Sequence, residues 1–209
     1  MKKMFPVLLM SLGLIALVGG TSIRAQQPAA SPNWADTIAW INNAISQNAH
    51  MSYSSIAGFD PTQSESHYVS YSPGPSVYCH LTLVQHDSKR YKDSSGTQSE
   101  VNDSPADFDL SQWVAGSAQP LSFDLHDFAF GMMGGAADPK MTVTVGSQVS
   151  WILSAQIASP NAAPATLTSD PTFNELPVFT DQSMATRVAT ALNHAVDLCG
   201  GRPAPKSLF

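Results

Sequence analysis

The chain has 209 residues, of which 43% are hydrophobic and only 12% charged, a composition that suits one globular domain and leaves little room for two. Ten Lys and Arg stand against 16 Asp and Glu, and three of those cations (Lys2, Lys3, Arg24) fall in the first 25 residues, leaving 7 cations against 16 anions beyond them. A chain this acidic lacks the cations that displace phosphate counterions, which excludes a nucleic-acid binder.

The first 25 residues read as a signal peptide. Lys2 and Lys3 form a cationic start, residues 4–18 an apolar run, and residues 19–25 a small-residue stretch ending in Ile-Arg-Ala. The competing reading is a membrane anchor, but the run is shorter than the ~20 apolar residues of a spanning helix. No later segment is long enough to span, and no cysteine near the cleavage region offers a lipid anchor. We therefore expect cleavage after Ala25, no transmembrane segment afterwards, and a periplasmic or extracellular location.

Residues 26–30 read as a disordered lead, 31–201 as a single globular domain and 202–209 as a flexible tail. Ser31 is placed as the N-cap of a first helix with Pro32 at its first position, where a missing N–H costs nothing. Trp34, Ile38, Ile41 and Ile45 then recur at helical spacing as far as about Asn48. From 51 onward the period becomes strand-like. Strands are expected at 51–57, 67–71, 76–86, 97–110, 121–130, 141–145 and 149–156, connected in antiparallel fashion. Residues 87–96 read as a long polar hairpin tip, Gly146-Ser147 as a two-residue hairpin loop, and 131–139 and 158–172 as loops. A short run at 175–179 leads to a last helix. Thr180 or Asp181 caps it, Met184, Val188, Ala191, Leu192, Ala195 and Leu198 form its apolar stripe, and Gly200-Gly201 ends it before Pro203.

Export makes the two cysteines interpretable, because an oxidising compartment permits a disulfide. Cys79 alternates with Leu81 and Leu83 on the apolar side of its strand, and Cys199 sits beside the stripe of the last helix. Both thiols point to one core, so a Cys79–Cys199 disulfide is expected, with two buried free thiols as the alternative. A catalytic thiol needs a cationic or histidine neighbour to lower its pKa, which an apolar strand face does not offer.

Few constellations carry chemistry. On a strand, Asp124 and His126 share a face, and His80 from a neighbouring strand could join them as ligands of a divalent metal, with Asp127 beside them. The plainer reading is the solvent face of a half-buried strand, and His86-Asp87 reads as a hairpin shoulder. No Gly-x-Ser-x-Gly elbow, phosphate-cradling loop, zinc-knuckle spacing or haem-attachment motif occurs, so no cofactor is expected. Lys89, Arg90 and Lys92 form the single cationic cluster beyond residue 25, a possible contact for an anionic surface or a solubilising hairpin flanked by Asp87 and Asp93.

The ending Phe179-x-Asp181-x-x-Met184-Ala185-x-Arg187-Val188-Ala189-x-Ala191-Leu192-x-His194-Ala195-Val196-x-Leu198-Cys199-Gly200-Gly201 resembles that of a group of bacterial secreted domains of unknown function. In that group an N-terminal helix, strands with one cysteine, and a helix with a Cys-Gly-Gly end recur in this order. The arrangement is similar to pleckstrin-homology-like folds. It implies an α+β domain whose antiparallel sheet curls into a roll or barrel, with the C-terminal helix packed on it and the N-terminal helix as an addition, and it supports the disulfide. Function is expected to be that of a non-enzymatic binding or structural module of the cell envelope, acting on an unidentified protein or envelope component. The rival is a small metal-dependent or hydrolytic enzyme using Asp124, His126 and His80.

Overall fold

A computed structural model describes residues 33–75, 77–157, 165–167 and 176–203. The expected signal peptide and lead, and 204–209 of the expected tail, lie outside the described residues. Helix α1 (Trp34–Asn48) is capped by Asn33, whose side chain accepts a hydrogen bond from the Asp36 N–H at 3.0 Å. Asn33, rather than Ser31, therefore starts the helix. Ile38, Ile41 and Ile45 are buried along one stripe, as the spacing requires. Ala49 is extended and passes the chain directly into β1 (His50–Ile56).

The larger sheet is antiparallel throughout. It contains β1, β2 (Ser64–Pro73), β3 (His80–Asp93), β4 (Gly96–Asp109) and β6 (Thr142–Val145), in the order β4-β3-β2-β1-β6. Met51 and Tyr53 on β1, Val69 and Tyr71 on β2, and Leu81 and Leu83 on β3 supply its buried face by strict alternation. The expected polar tip at 87–96 is instead strand almost to its end. Asp93 and Gly96 flank a two-residue loop, and Gly96 has φ +132°, a conformation that a side chain disfavours.

The smaller sheet holds β5 (Gln119–Asp124) against β7 (Val149–Ile157), which also pairs with β8 (Ala165–Leu167) and β9 (Val178–Phe179). β8 falls within the expected loop 158–172, whose remaining residues lie outside the described ones. Gly146-Ser147 does not close a hairpin: β6 pairs with β1 and β7 with β5, so this link carries the chain from one sheet to the other. Turn chemistry says that a chain bends, whereas pairing follows where each apolar face finds cover. The expected strand 121–130 likewise ends at Asp124 and becomes α2 (Leu125–Met132), with Leu125 and Ala129 buried one turn apart.

Helix α3 (Gln182–Leu198) starts at Asp181, whose Oδ1 accepts from the Met184 N–H at 2.8 Å. Its buried residues are Ala185, Val188, Ala189, Leu192, Ala195 and Val196, and it packs against α1 and the smaller sheet. At its C-terminus Gly201 donates to the Val196 carbonyl at 2.8 Å and Gly200, at φ +68°, donates to Asp197 at 3.1 Å, a complete glycine cap. Arg202, placed by the sequence in a loose tail, donates its N–H to the Trp113 carbonyl at 2.9 Å and accepts from the Ala115 N–H at 2.8 Å. Cys79 and Cys199 form a disulfide, with 5.4 Å between their Cα atoms, but Cys79 lies in the turn before β3, at φ +63°, and not on the apolar side of the strand expected at 76–86.

The molecule is thus α+β, with three helices and two antiparallel sheets. Both sheets keep free edges among the described residues, β4 and β6 in the larger, so neither closes into a barrel. No helix of the described residues is long and apolar enough to cross a membrane.

Candidate functional site

β3 and β4 run for 14 residues each, roughly 45 Å at ordinary strand rise. The core covers only the part of this ribbon nearest the helices. Gly96 to Pro105 are exposed at every position, so β2, β3 and β4 project as a polar ribbon with two wet faces. Alternation continues along it. Glu65, His67, Asp87 and Lys89 extend the core-side face, while Ser72, His80, Thr82, His86, Arg90, Lys92, Asp103 and Asp107 lie on the outer face.

On the core-side face His67 is the centre. Its Nδ1 lies 2.9 Å from Asp87 Oδ1 and its Nε2 2.8 Å from Glu65 Oε1, and its ring stacks on Tyr53 with centroids 4.8 Å apart. Carboxylates only accept, so both ring nitrogens donate and the imidazole is cationic. Burial lowers the pKa of His67, but the hydrogen bonds it donates to Asp87 and Glu65 outweigh it and hold the group above its ordinary value. Burial likewise opposes ionisation of Glu65, and Lys89, whose Nζ stands 2.7 Å away, reverses it together with His67, so Glu65 is lowered. Burial, with the charges of Asp87 and Glu65, raises the Tyr53 phenol.

The outer face carries three hydrogen-bonded side chains in line across three strands. Ser72 Oγ on β2 lies 2.7 Å from His86 Nε2 on β3, and His86 Nδ1 lies 2.7 Å from Asp103 Oδ1 on β4. Because Asp103 can only accept, Nδ1 holds the proton of the neutral ring, Nε2 presents a lone pair, and the Ser72 hydroxyl donates to it. A second pair lies along the same strands. His80 Nδ1 is 2.8 Å from Asp107 Oδ2, whose other oxygen accepts from Thr82 Oγ1 at 2.8 Å. The hydrogen bond from Thr82, then that from His80, lowers the Asp107 pKa.

These findings redistribute the residues expected from sequence. His80 belongs to the Asp107 pair and is absent from the group of possible metal ligands that the structure does assemble, Asp124, His126 and Asp127. That group is a helix start. Asp124 Oδ1 accepts from the His126 and Asp127 N–H groups at 2.8 and 3.1 Å, and Gln148 Nε2 donates to the same carboxylate. The Gln148 hydrogen bond, followed by those backbone donors, lowers its pKa. Lys89, Arg90 and Lys92 do not form one patch. Because the strand continues through Asp93, Lys89 faces Glu65 on the core side while Arg90 and Lys92 take the outer face.

The sequence does not single out Ser72 or Asp103, and it marks His86 only as a hairpin shoulder. Serine is abundant here, and nothing local marks which one a histidine 14 positions away will meet. A further concavity of about 530 Å³ lies between α1 and α3, where the Arg187 guanidinium stands 5.4 Å over the Trp40 ring. No protein-family model matches this chain, and neither a curated protein nor a solved structure matches it.

Proposed function

We propose that this protein is an exported recognition module of the cell envelope or its surroundings, and that it binds an extended cationic segment of a protein partner along the open edge of β4. One observation carries the reading: β4 ends the larger sheet, is exposed from Gly96 to Pro105, and bears Glu100, Asp103, Asp107 and Asp109 with no cation. An edge strand offers unpaired N–H and C=O groups to an added strand, and carboxylates beside them favour a basic one. Pro105 fits this edge. It occupies a position whose nitrogen faces away from β3, as do the odd-numbered residues Thr97, Ser99, Val101 and Asp103.

The export half of the reading rests on the signal-like start and agrees with a disulfide, which favours an oxidising compartment. A pleckstrin-homology-like arrangement is part of the same reading. The antiparallel sheet with a terminal helix supports it, and the free edges of β4 and β6 depart from it.

Hydrogen exchange of the mature protein with synthetic peptides tests the edge. An alternating Val-Lys-Thr-Lys peptide is expected to slow exchange at Thr97, Ser99, Val101 and Asp103 in a salt-sensitive manner, and its Glu counterpart is not. Val101→Pro removes an open-edge donor, leaves the β3 ladder intact and should abolish the protection. Equal protection by both peptides, or by neither, overturns the reading. Intact mass of the exported protein tests the export, since retention of Met1 contradicts cleavage after Ala25.

A further inference from the structure

The outer face of the ribbon carries a chemistry that goes beyond the edge reading and shares Asp103 with it. We infer that Ser72 is an activated nucleophile, with His86 as its general base and Asp103 as the residue that positions the imidazole, and that the site takes the acyl group of an ester. The connectivity is the one such chemistry needs: hydroxyl to Nε2 at 2.7 Å, and Nδ1 to a carboxylate at 2.7 Å. Three separate strands hold the three groups, in a register continuous along β2, β3 and β4. Asp103 fixes the tautomer that leaves Nε2 free to accept the Ser72 proton.

In the first step Ser72 Oγ bonds to the acyl carbon, its proton passes to His86 Nε2, and the bond from that carbon to the alcohol oxygen breaks, the alcohol leaving with the proton from His86. Water then adds to the acyl-serine with His86 again as base, the Oγ bond breaks, and a carboxylic acid departs. No oxidant or reductant is required.

The surroundings bound the rate and the substrate. Ser72 is followed by Pro73, which has no N–H, so the residue after the nucleophile cannot donate to the oxyanion. The side chains of His86 and Asp103 are 33% and 59% exposed, so developing charge is stabilised by water more than by the protein. General-base assistance supplies roughly 10²- to 10⁴-fold. The substrate class is therefore esters with a good leaving group, and the open face admits them on large or polymeric carriers as well as on small ones.

Labelling by a fluorophosphonate, read by peptide mass spectrometry on the full mature chain, tests the assignment. The expected result is one phosphonyl group on Ser72, none in Ser72→Ala or His86→Gln, and at least a tenfold slower reaction in Asp103→Asn. Asp103→Asn should keep a native circular dichroism spectrum while its labelling slows, and Asp103→Glu, which keeps an accepting carboxylate, should recover part of the rate, which a merely structural role of Asp103 would not produce. Hydrolysis of p-nitrophenyl acetate should follow the same order. No modification of Ser72, modification at other serines to the same extent, or undiminished labelling in His86→Gln overturns the proposal. Binding of cationic peptides at β4 is judged by its own test on the chain with Asp103 intact, since that carboxylate serves both readings.

Discussion

Cys79 and Cys199 are 120 positions apart in the chain and 5.4 Å apart between Cα atoms, so their disulfide ties the turn before β3 to the C-cap of α3. Cys79 is also the single described non-glycine residue with positive φ, at +63°. One covalent bond thus fixes both a long loop and a backbone conformation that side chains resist.

Cys199→Ser is expected to lower stability by about 2 to 5 kcal/mol, the range found when a native disulfide is removed from a small secreted domain. With Cys199→Ser as background, Cys79→Gly should restore about 1 kcal/mol relative to Cys79→Ala, because glycine tolerates positive φ. Urea unfolding of the three variants measures both differences.

Asp124→Ala removes the N-cap of α2 and the acceptor of Gln148, so it should cost about 0.5 to 2 kcal/mol. Asp124→Asn keeps an accepting oxygen and should recover most of that loss. Thermal unfolding with and without added zinc gives the second half of the measurement: equal midpoints are expected, since the carboxylate is already engaged by protein donors.

Asn193 clamps a backbone segment from α3, with Nδ2 donating to the Ala118 carbonyl and Oδ1 accepting from the Ala118 N–H, both at 2.9 Å. Asn193→Ala leaves two part-buried backbone groups without these partners, at about 1 to 3 kcal/mol each for a fully buried group and less here. Chemical denaturation is expected to show a loss near the low end of that range. Asn193→Asp should behave no better, because a carboxylate cannot donate to the carbonyl.

Stability should fall on both sides of a mildly acidic plateau, between pH 4.5 and 6.5, through the cluster around His67. Its pKa is raised from 6.5 in the folded state, so its contribution is complete below 6.5 and is lost as pH rises through the higher folded value. Glu65 is lowered from 4.5, so its contribution is present above 4.5 and is lost as pH falls through the lower folded value. His67→Gln should flatten the alkaline limb in urea titrations across pH. An unchanged slope there would show that the imidazole is not cationic in the fold.

Much of the framework was legible in the residues. Helix α3 could be read from its stripe, Asp181 and Gly200 because helical period, cap and left-handed stop are local properties of backbone geometry. The inward residues Leu81 and Leu83 of β3 followed from alternation alone. Even the missed helix α2 had local marks, an acid at Asp124 and buried Leu125 and Ala129 one turn apart. The hairpin at Gly146-Ser147 was misread for a different reason: a turn signal holds no information on which strand lies alongside.

The sequence by itself determined the alternation of apolar and polar positions and the start and stop of α3, all set by interactions within a few residues. Only the tertiary structure decided that β3 and β4 outrun the core, that Lys89 leaves Arg90 and Lys92 for Glu65, and that Ser72, His86 and Asp103 meet across three strands. Those outcomes depend on strand register, which is fixed by the burial of Val69, Tyr71, Leu81 and Leu83 against distant helices. A shift of one residue would turn every one of these side chains to the opposite face.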